Sequence, residues 1–68
     1  MSFIELHVYG EPRLINVDAI AEVMPSRLES AITFKGQAIP HCFDECYENV
    51  RAMLVNASTA TKKYNGEL

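Results

Sequence analysis

Phe43-Asp44-Glu45-Cys46-Tyr47-Glu48-Asn49-Val50-Arg51-Ala52-Met53-Leu54-Val55-Asn56-Ala57 is the stretch on which the fold turns. Its apolar residues Phe43, Cys46, Tyr47, Val50, Met53, Leu54 and Ala57 recur at intervals of three and four, and on a helix they make one stripe. Asp44, Glu45, Glu48, Arg51 and Asn56 take the other side. Cys42 stands where an N-cap is expected, with Glu45 three residues on as in a capping box, and Asp44 and Glu45 complement the positive end of the helix dipole. A helix with one greasy side requires a second layer to cover it.

That layer is legible upstream. Phe3-Ile4-Glu5-Leu6-His7-Val8-Tyr9 alternates with a period of two, Ile4, Leu6 and Val8 facing one way and Phe3, Glu5, His7 and Tyr9 the other. Gly10-Glu11-Pro12 breaks the run, and Arg13 to Val17 returns as the second arm of a hairpin. Asn16 or Asp18 is placed to cap a single helical turn. Ile20 to Met24 reads as a third strand stopped by Pro25, and Ala31 to Phe34 as a fourth. Lys35-Gly36 supplies a two-residue turn, after which Gln37-Ala38-Ile39 is expected to pair back as the last strand, ended by Pro40. The expected fold is α+β: a small antiparallel sheet in the order β-β-β-β-β-α, with one C-terminal amphipathic helix packed on one face. Residues 1–57 form the single domain. From Ser58 the period is lost, and 58–68 reads as a flexible tail.

A chain of 68 residues has room for one core. Such cores rarely supply more than roughly 3–5 kcal/mol of net stability, so small domains lean on disulfides, metals or self-association. No run of apolar residues is long enough to span a bilayer, so no membrane insertion is expected. The first residues carry no basic segment followed by an apolar core, which excludes a signal peptide and points to a cytoplasmic protein with reduced thiols. In that compartment the sequon Asn56-Ala57-Ser58 is accidental. Six basic against nine acidic residues give a net charge of −3, the wrong balance for a nucleic-acid partner.

Apolar residues fall on both sides of the strands. Phe3 and Tyr9 lie opposite Ile4, Leu6 and Val8, and Leu14 lies opposite Ile15 and Val17. Either the sheet curls into a half-barrel or a partner covers the second side, and exposed edges with apolar patches favour self-association. A homo-oligomer is therefore expected, with Phe3, His7 and Tyr9 as its interface or as the surface for another protein.

Chemistry-bearing groups are sparse. His41-Cys42 with Cys46 is the one cluster of nucleophile- or ligand-type side chains. A Cys42 thiol at a helix N-terminus with His41 as base would make a small thiol enzyme. Asp44 and Glu45 oppose a thiolate there, no third residue orients the base, and Cys46 falls on the apolar stripe. The structural role is favoured. His7, His41, Cys42 and Cys46 match no usual zinc spacing, and a Cys42–Cys46 disulfide is disfavoured by strain and compartment. The nine carboxylates read as solvated surface, and the three isolated glycines form no phosphate loop. No catalytic residue, metal site or cofactor is expected.

Taken as a whole, the string resembles the FlbD-type family of small bacterial and phage proteins associated with flagellar and swarming motility. The likeness rests on the hairpin, then Leu14-Ile15-Asn16-Val17-Asp18-Ala19-Ile20, then the strand Ile32-Thr33-Phe34 ending at Lys35-Gly36, and then an extended Gln37-Ala38-Ile39-Pro40 leading into the helix. It covers most of residues 3–57. Cys42 stands where the family has a helix-capping Ser. The resemblance implies the α+β fold and, for one branch, a motility accessory role. The residues by themselves imply a non-enzymatic interaction module.

Overall fold

The computed structural model describes the backbone of residues 2–66 and the side chains of residues 2–57. The chain is α+β: β1 (Phe3–Val8), β2 (Glu11–Asn16), a 3-10 turn (Val17–Ala19), β3 (Ile20–Ser26), β4 (Glu29–Phe34), β5 (His41–Phe43) and α1 (Tyr47–Gly66). The strands form two antiparallel sheets, β1-β2 and β3-β4-β5, rather than the one sheet expected.

The alternation at the N-terminus gives β1 as read. Its pairing with β2 runs from Phe3 opposite Asn16 to Val8 opposite Glu11, so the turn is Tyr9-Gly10. Both turn residues have positive φ, 51° and 82°. That is the type I′ pattern, whose twist matches that of the flanking strands. Asn16 caps the following 3-10 turn by accepting the Asp18 N–H on Oδ1 at 3.0 Å.

Pro25 does not stop β3, which continues to Ser26. The strand lies at the edge of its sheet, where a missing N–H is tolerated. An irregularity between Ile20 and Glu22 shifts its register. The larger departure follows β4. Lys35-Gly36 does turn, with Gly36 at φ 81° and the Gln37 N–H donating to the Phe34 carbonyl at 3.0 Å. Positive φ at the second central residue alone is the type II pattern, which splays strands instead of returning them into register. Gln37-Ala38-Ile39 is therefore a loop, and pairing resumes after Pro40, with Ile32 opposite His41 and Ser30 opposite Phe43.

That strand displaces the expected helix start. Phe43 is buried, but from β5, and Cys42 belongs to the ladder rather than to a cap. The residue preceding α1 is Cys46, whose carbonyl accepts the Val50 N–H at 3.1 Å. Glu45, preceding that cap, has no capping-box position. From Tyr47 onward the stripe is as read: Val50 is fully buried, and Met53 and Leu54 are half-buried against the core. The helical backbone runs on to Gly66, beyond Ala57. Of the tail expected from Ser58 onward, 58–66 continue α1, and 67–68 lie outside the described residues.

The core is the cluster Ile4, Leu6, Ile32, Phe43 and Val50, with Val8, Ile15, Val17, Ile20, Val23 and Phe34 packed around it. It joins both sheets and the helix. The sheets meet where β1 passes the end of β5, and there the Asp44 N–H donates to the His7 carbonyl at 2.7 Å.

Candidate functional site

Two features of this seam have the makings of a site: a polar clasp and, beside it, a groove. The clasp is built from Asp44 and Glu45, which link β5 to α1. Asp44 presents its carboxylate to the hairpin turn, accepting the Tyr9 N–H at 3.1 Å and the Gly10 N–H at 2.7 Å. In a I′ turn these two amides project outward together, which is the small concavity that suits an anion. Glu45 takes the next residue in. Its Oε1 accepts the His7 backbone N–H at 2.9 Å and its Oε2 lies 2.6 Å from His7 Nδ1. A carboxylate only accepts, so Nδ1 carries the proton.

The charges around His7 reinforce one another. The hydrogen bond that His7 donates to Glu45 raises the His7 pKa above its ordinary value; partial burial opposes this, and the charges of Glu45, Glu5 and Asp44 add to the rise. Glu5 lies 3.7 Å from His7 Nε2. For Glu45, burial pushes the carboxyl upward, but the bonds from the His7 ring and backbone outweigh it and the net shift is downward. His7 is thus a fixed structural cation when protonated.

The groove has a volume of about 620 Å³ and runs between the hairpin and β4–β5. Val8, Arg13, Leu14 and Ile15 form the hairpin wall, and Phe34, His41 and Phe43 the opposite one. Phe34 packs edge-on to Phe43 with ring centroids 6.3 Å apart and lies 5.7 Å from the His41 ring. His41 Nε2–H donates to Gln37 Oε1 at 3.0 Å, which orients the ring from the loop side. The charged groups around the groove are Arg13, Glu29 and Asp44.

Of the interface residues expected from sequence, Phe3 at the start of β1 and Tyr9 in the turn after it are exposed. His7 lies between them, held by Glu45. Tyr9 is 95% exposed, stands at the turn and borders the groove. Cys42 is exposed in the middle of β5, not at a helix terminus, so the dipole argument for a reactive thiol is removed. His41, its chain neighbour, takes the opposite side of the strand and is engaged by Gln37 and Phe34. Both cysteines are free. Among the described residues no group of three His, Cys, Asp or Glu side chains is arranged to hold a metal ion, and no helix is long and apolar enough to cross a membrane.

Sequence reasoning missed the clasp and the Arg13–Leu14 wall. The clasp joins residues 34 to 38 positions apart, for which single-chain periodicity has no signal. Comparison with protein-family models, curated proteins and solved structures found no match to this chain.

Proposed function

We propose that this chain is a non-enzymatic cytoplasmic interaction module that acts as a homo-oligomer and binds through the groove face of its β1–β2 hairpin. The observation that carries this reading is the imbalance between what is buried and what is displayed. Five large apolar residues form the core, while Phe3, Tyr9, Leu14, Leu28 and Ile39 are each more than half exposed, Leu14 at 70% and Tyr9 at 95%. Tyr9 and Leu14 border the one groove described, and exposed apolar groups gathered at a concavity mark an interaction surface more often than singly scattered ones do.

Sedimentation velocity of the purified chain at micromolar concentration is the test. A species heavier than the 7.6 kDa chain is the expected result, and Leu14→Asp should shift it toward the monomer without loss of helix signal. A wild-type protein that sediments as 7.6 kDa throughout removes the homo-oligomer. As to the wider role, the likeness to FlbD-type proteins supports a motility accessory function. Loss of swarming on deletion in the native cell, restored by the wild-type chain and not by Leu14→Asp, is its test.

A further inference from the structure

Resting on the homo-oligomer reading, we propose that a second copy adds to the open edge of β2, so that two β1–β2 hairpins join as one four-stranded antiparallel sheet across a two-fold axis at Leu14.

The backbone of the hairpin shows which groups that edge presents. The His7 N–H donates to Glu45 at 2.9 Å and the His7 carbonyl accepts the Asp44 N–H at 2.7 Å, so both polar groups of His7 turn away from β2. His7 and Pro12 are therefore a non-hydrogen-bonded pair, and the alternation of an antiparallel ladder makes Glu5–Leu14 and Phe3–Asn16 the same. On β2, Pro12, Leu14 and Asn16 thus direct their backbone groups to the outer edge, where no strand of the sheet follows. The other edges are less open. The register of β3 shifts between Ile20 and Glu22 and the strand carries Pro25, while β5 has three residues and runs into the Asp44–His7 bond.

What β2 offers is matched about Leu14. At one end Pro12 has a carbonyl but no N–H. At the other Asn16 has an N–H, but as the cap of the 3-10 turn its carbonyl already accepts the first bond of that turn. Laid antiparallel on itself with Leu14 opposite Leu14, the strand sets Pro12 of each copy against Asn16 of the other. The missing donor then faces the committed acceptor, and every remaining group pairs: Leu14 N–H with Leu14 carbonyl and Asn16 N–H with Pro12 carbonyl, each twice. A shift of the axis to Arg13 leaves the Leu14 carbonyls facing Pro12 and sets the two arginines directly opposite. A shift to Ile15 points the Leu14 N–H groups at the committed Asn16 carbonyls. An ordinary strand of another protein leaves an acceptor unpaired opposite Pro12 and a donor unpaired opposite Asn16. A second copy leaves neither.

The side chains fit the same register. The exposed Leu14 lies opposite its counterpart on the face it shares with Pro12 and Asn16. On the other face Arg13 lies opposite Ile15 of the second copy. The two arginines approach only diagonally, and each keeps its own Glu11 at 3.7 Å.

Amide exchange of the labelled wild type, followed at concentrations on both sides of the association midpoint found by sedimentation, tests the edge. The Leu14 and Asn16 amides should exchange at least about tenfold more slowly in the associated species. In an equal mixture of labelled and unlabelled chains, a filtered NOE should join Arg13 Hα to Ile15 Hα of the other copy, because non-hydrogen-bonded pairs bring the Cα atoms closest. Leu14→Pro removes an amide that makes no bond within the hairpin, so the variant should still melt cooperatively while its dimer dissociation constant rises about tenfold or more. If the wild type associates but the two amides exchange as in the free chain, or Leu14→Pro associates equally well, the edge pairing is wrong although self-association stands. Exchange and NOE need no variant, so they decide the question even if Leu14→Pro fails to fold. An Arg13–Arg13 Hα contact overturns the axis at Leu14, and a species larger than two chains overturns the two-fold arrangement. A wild type that is monomeric throughout overturns both the edge pairing and the oligomer reading beneath it.

Discussion

Asp44→Ala removes the acceptor of two consecutive amides at the hairpin turn while leaving every apolar contact of the core in place. The bonds are 3.1 Å from Tyr9 and 2.7 Å from Gly10. A protein hydrogen bond contributes about 0.5–1.5 kcal/mol net, more when one partner is charged. The site is exposed, so water replaces the lost acceptor and the lower half of that range applies. Two such bonds predict a loss of about 1–2 kcal/mol. In a domain of this size each kcal/mol moves the melting temperature by roughly 4–8 °C, so a fall of about 5–15 °C is expected. The backbone bond from the Asp44 N–H to His7 survives the change.

Charge is the competing explanation, because the chain carries a net −3 and loss of an acidic group relieves self-repulsion. Asp44→Asn separates the two. It removes the same charge but keeps one carbonyl acceptor, so it should lose about half as much stability as the alanine variant. Amide exchange gives a local reading: Tyr9 and Gly10 should exchange faster in Asp44→Ala, with the Ile4 and Leu6 amides protected as before. Equal melting temperatures for wild type and Asp44→Ala, with unchanged exchange at the turn, would refute the clasp as a stabilising element.

The remaining predictions follow from burial and titration. The raised His7 pKa means that its contribution is complete below the ordinary 6.5 and is lost as pH rises through the elevated folded value. The lowered Glu45 pKa means that its contribution is complete above the ordinary 4.5 and is lost as pH falls through the depressed value. Melting temperature should thus be highest between these two values; His7→Gln should flatten the alkaline limb, and an unchanged profile in that variant would refute the assignment. Val50→Asp puts an unpaired charge at a fully buried position and should abolish the cooperative melt, whereas Leu54→Asp, at a half-buried position, should be milder. Ser30 is fully buried and its hydroxyl has no hydrogen-bond partner among the described residues, so Ser30→Ala should raise stability by about 1 kcal/mol, read as a higher denaturant midpoint. Cys46→Ser gives α1 a better N-cap and should add about 0.5–1 kcal/mol by the same measurement.

The elements governed by local pattern were legible. β1 followed from strict alternation, the buried face of α1 from its three-and-four spacing, and the Asn16 cap from a side chain that reaches two residues ahead. Errors arose where local and tertiary preferences compete. Phe43 fits the helical stripe and fits a strand equally well, and the ladder opposite Ser30 decided it, which moved the cap from Cys42 to Cys46. Cys42→Ser should accordingly be close to neutral at its exposed strand position. Pro40, by its missing N–H a natural strand end, instead precedes the last strand. A type II turn cannot return the chain into register, and the distinction between type I′ and type II rests on the φ of one residue, Lys35, which Gly36 leaves undetermined.

The site was less legible than the fold because its two acidic residues admit two physical roles. Asp44 and Glu45 read from sequence as complements to the helix dipole, an effect of about 0.3–1 kcal/mol per charge that fades beyond the first turn. α1 begins at Tyr47, so both residues precede the helix and even its cap. Directed hydrogen bonds win there on magnitude: together the two carboxylates accept four, from His7 N–H, His7 Nδ1–H, Tyr9 N–H and Gly10 N–H. The seam between the sheets has a single backbone bond among the described residues, so these carboxylates do the joining that a continuous ladder would otherwise do. A hairpin joined to the body by its buried Ile4 and Leu6 and by this clasp, and not by a ladder, leaves Arg13 and Leu14 of β2 exposed. The polar clasp and the exposed groove wall are in this sense two consequences of one arrangement: holding β1–β2 by its turn and its core face is what leaves the outer edge of β2 outside any ladder.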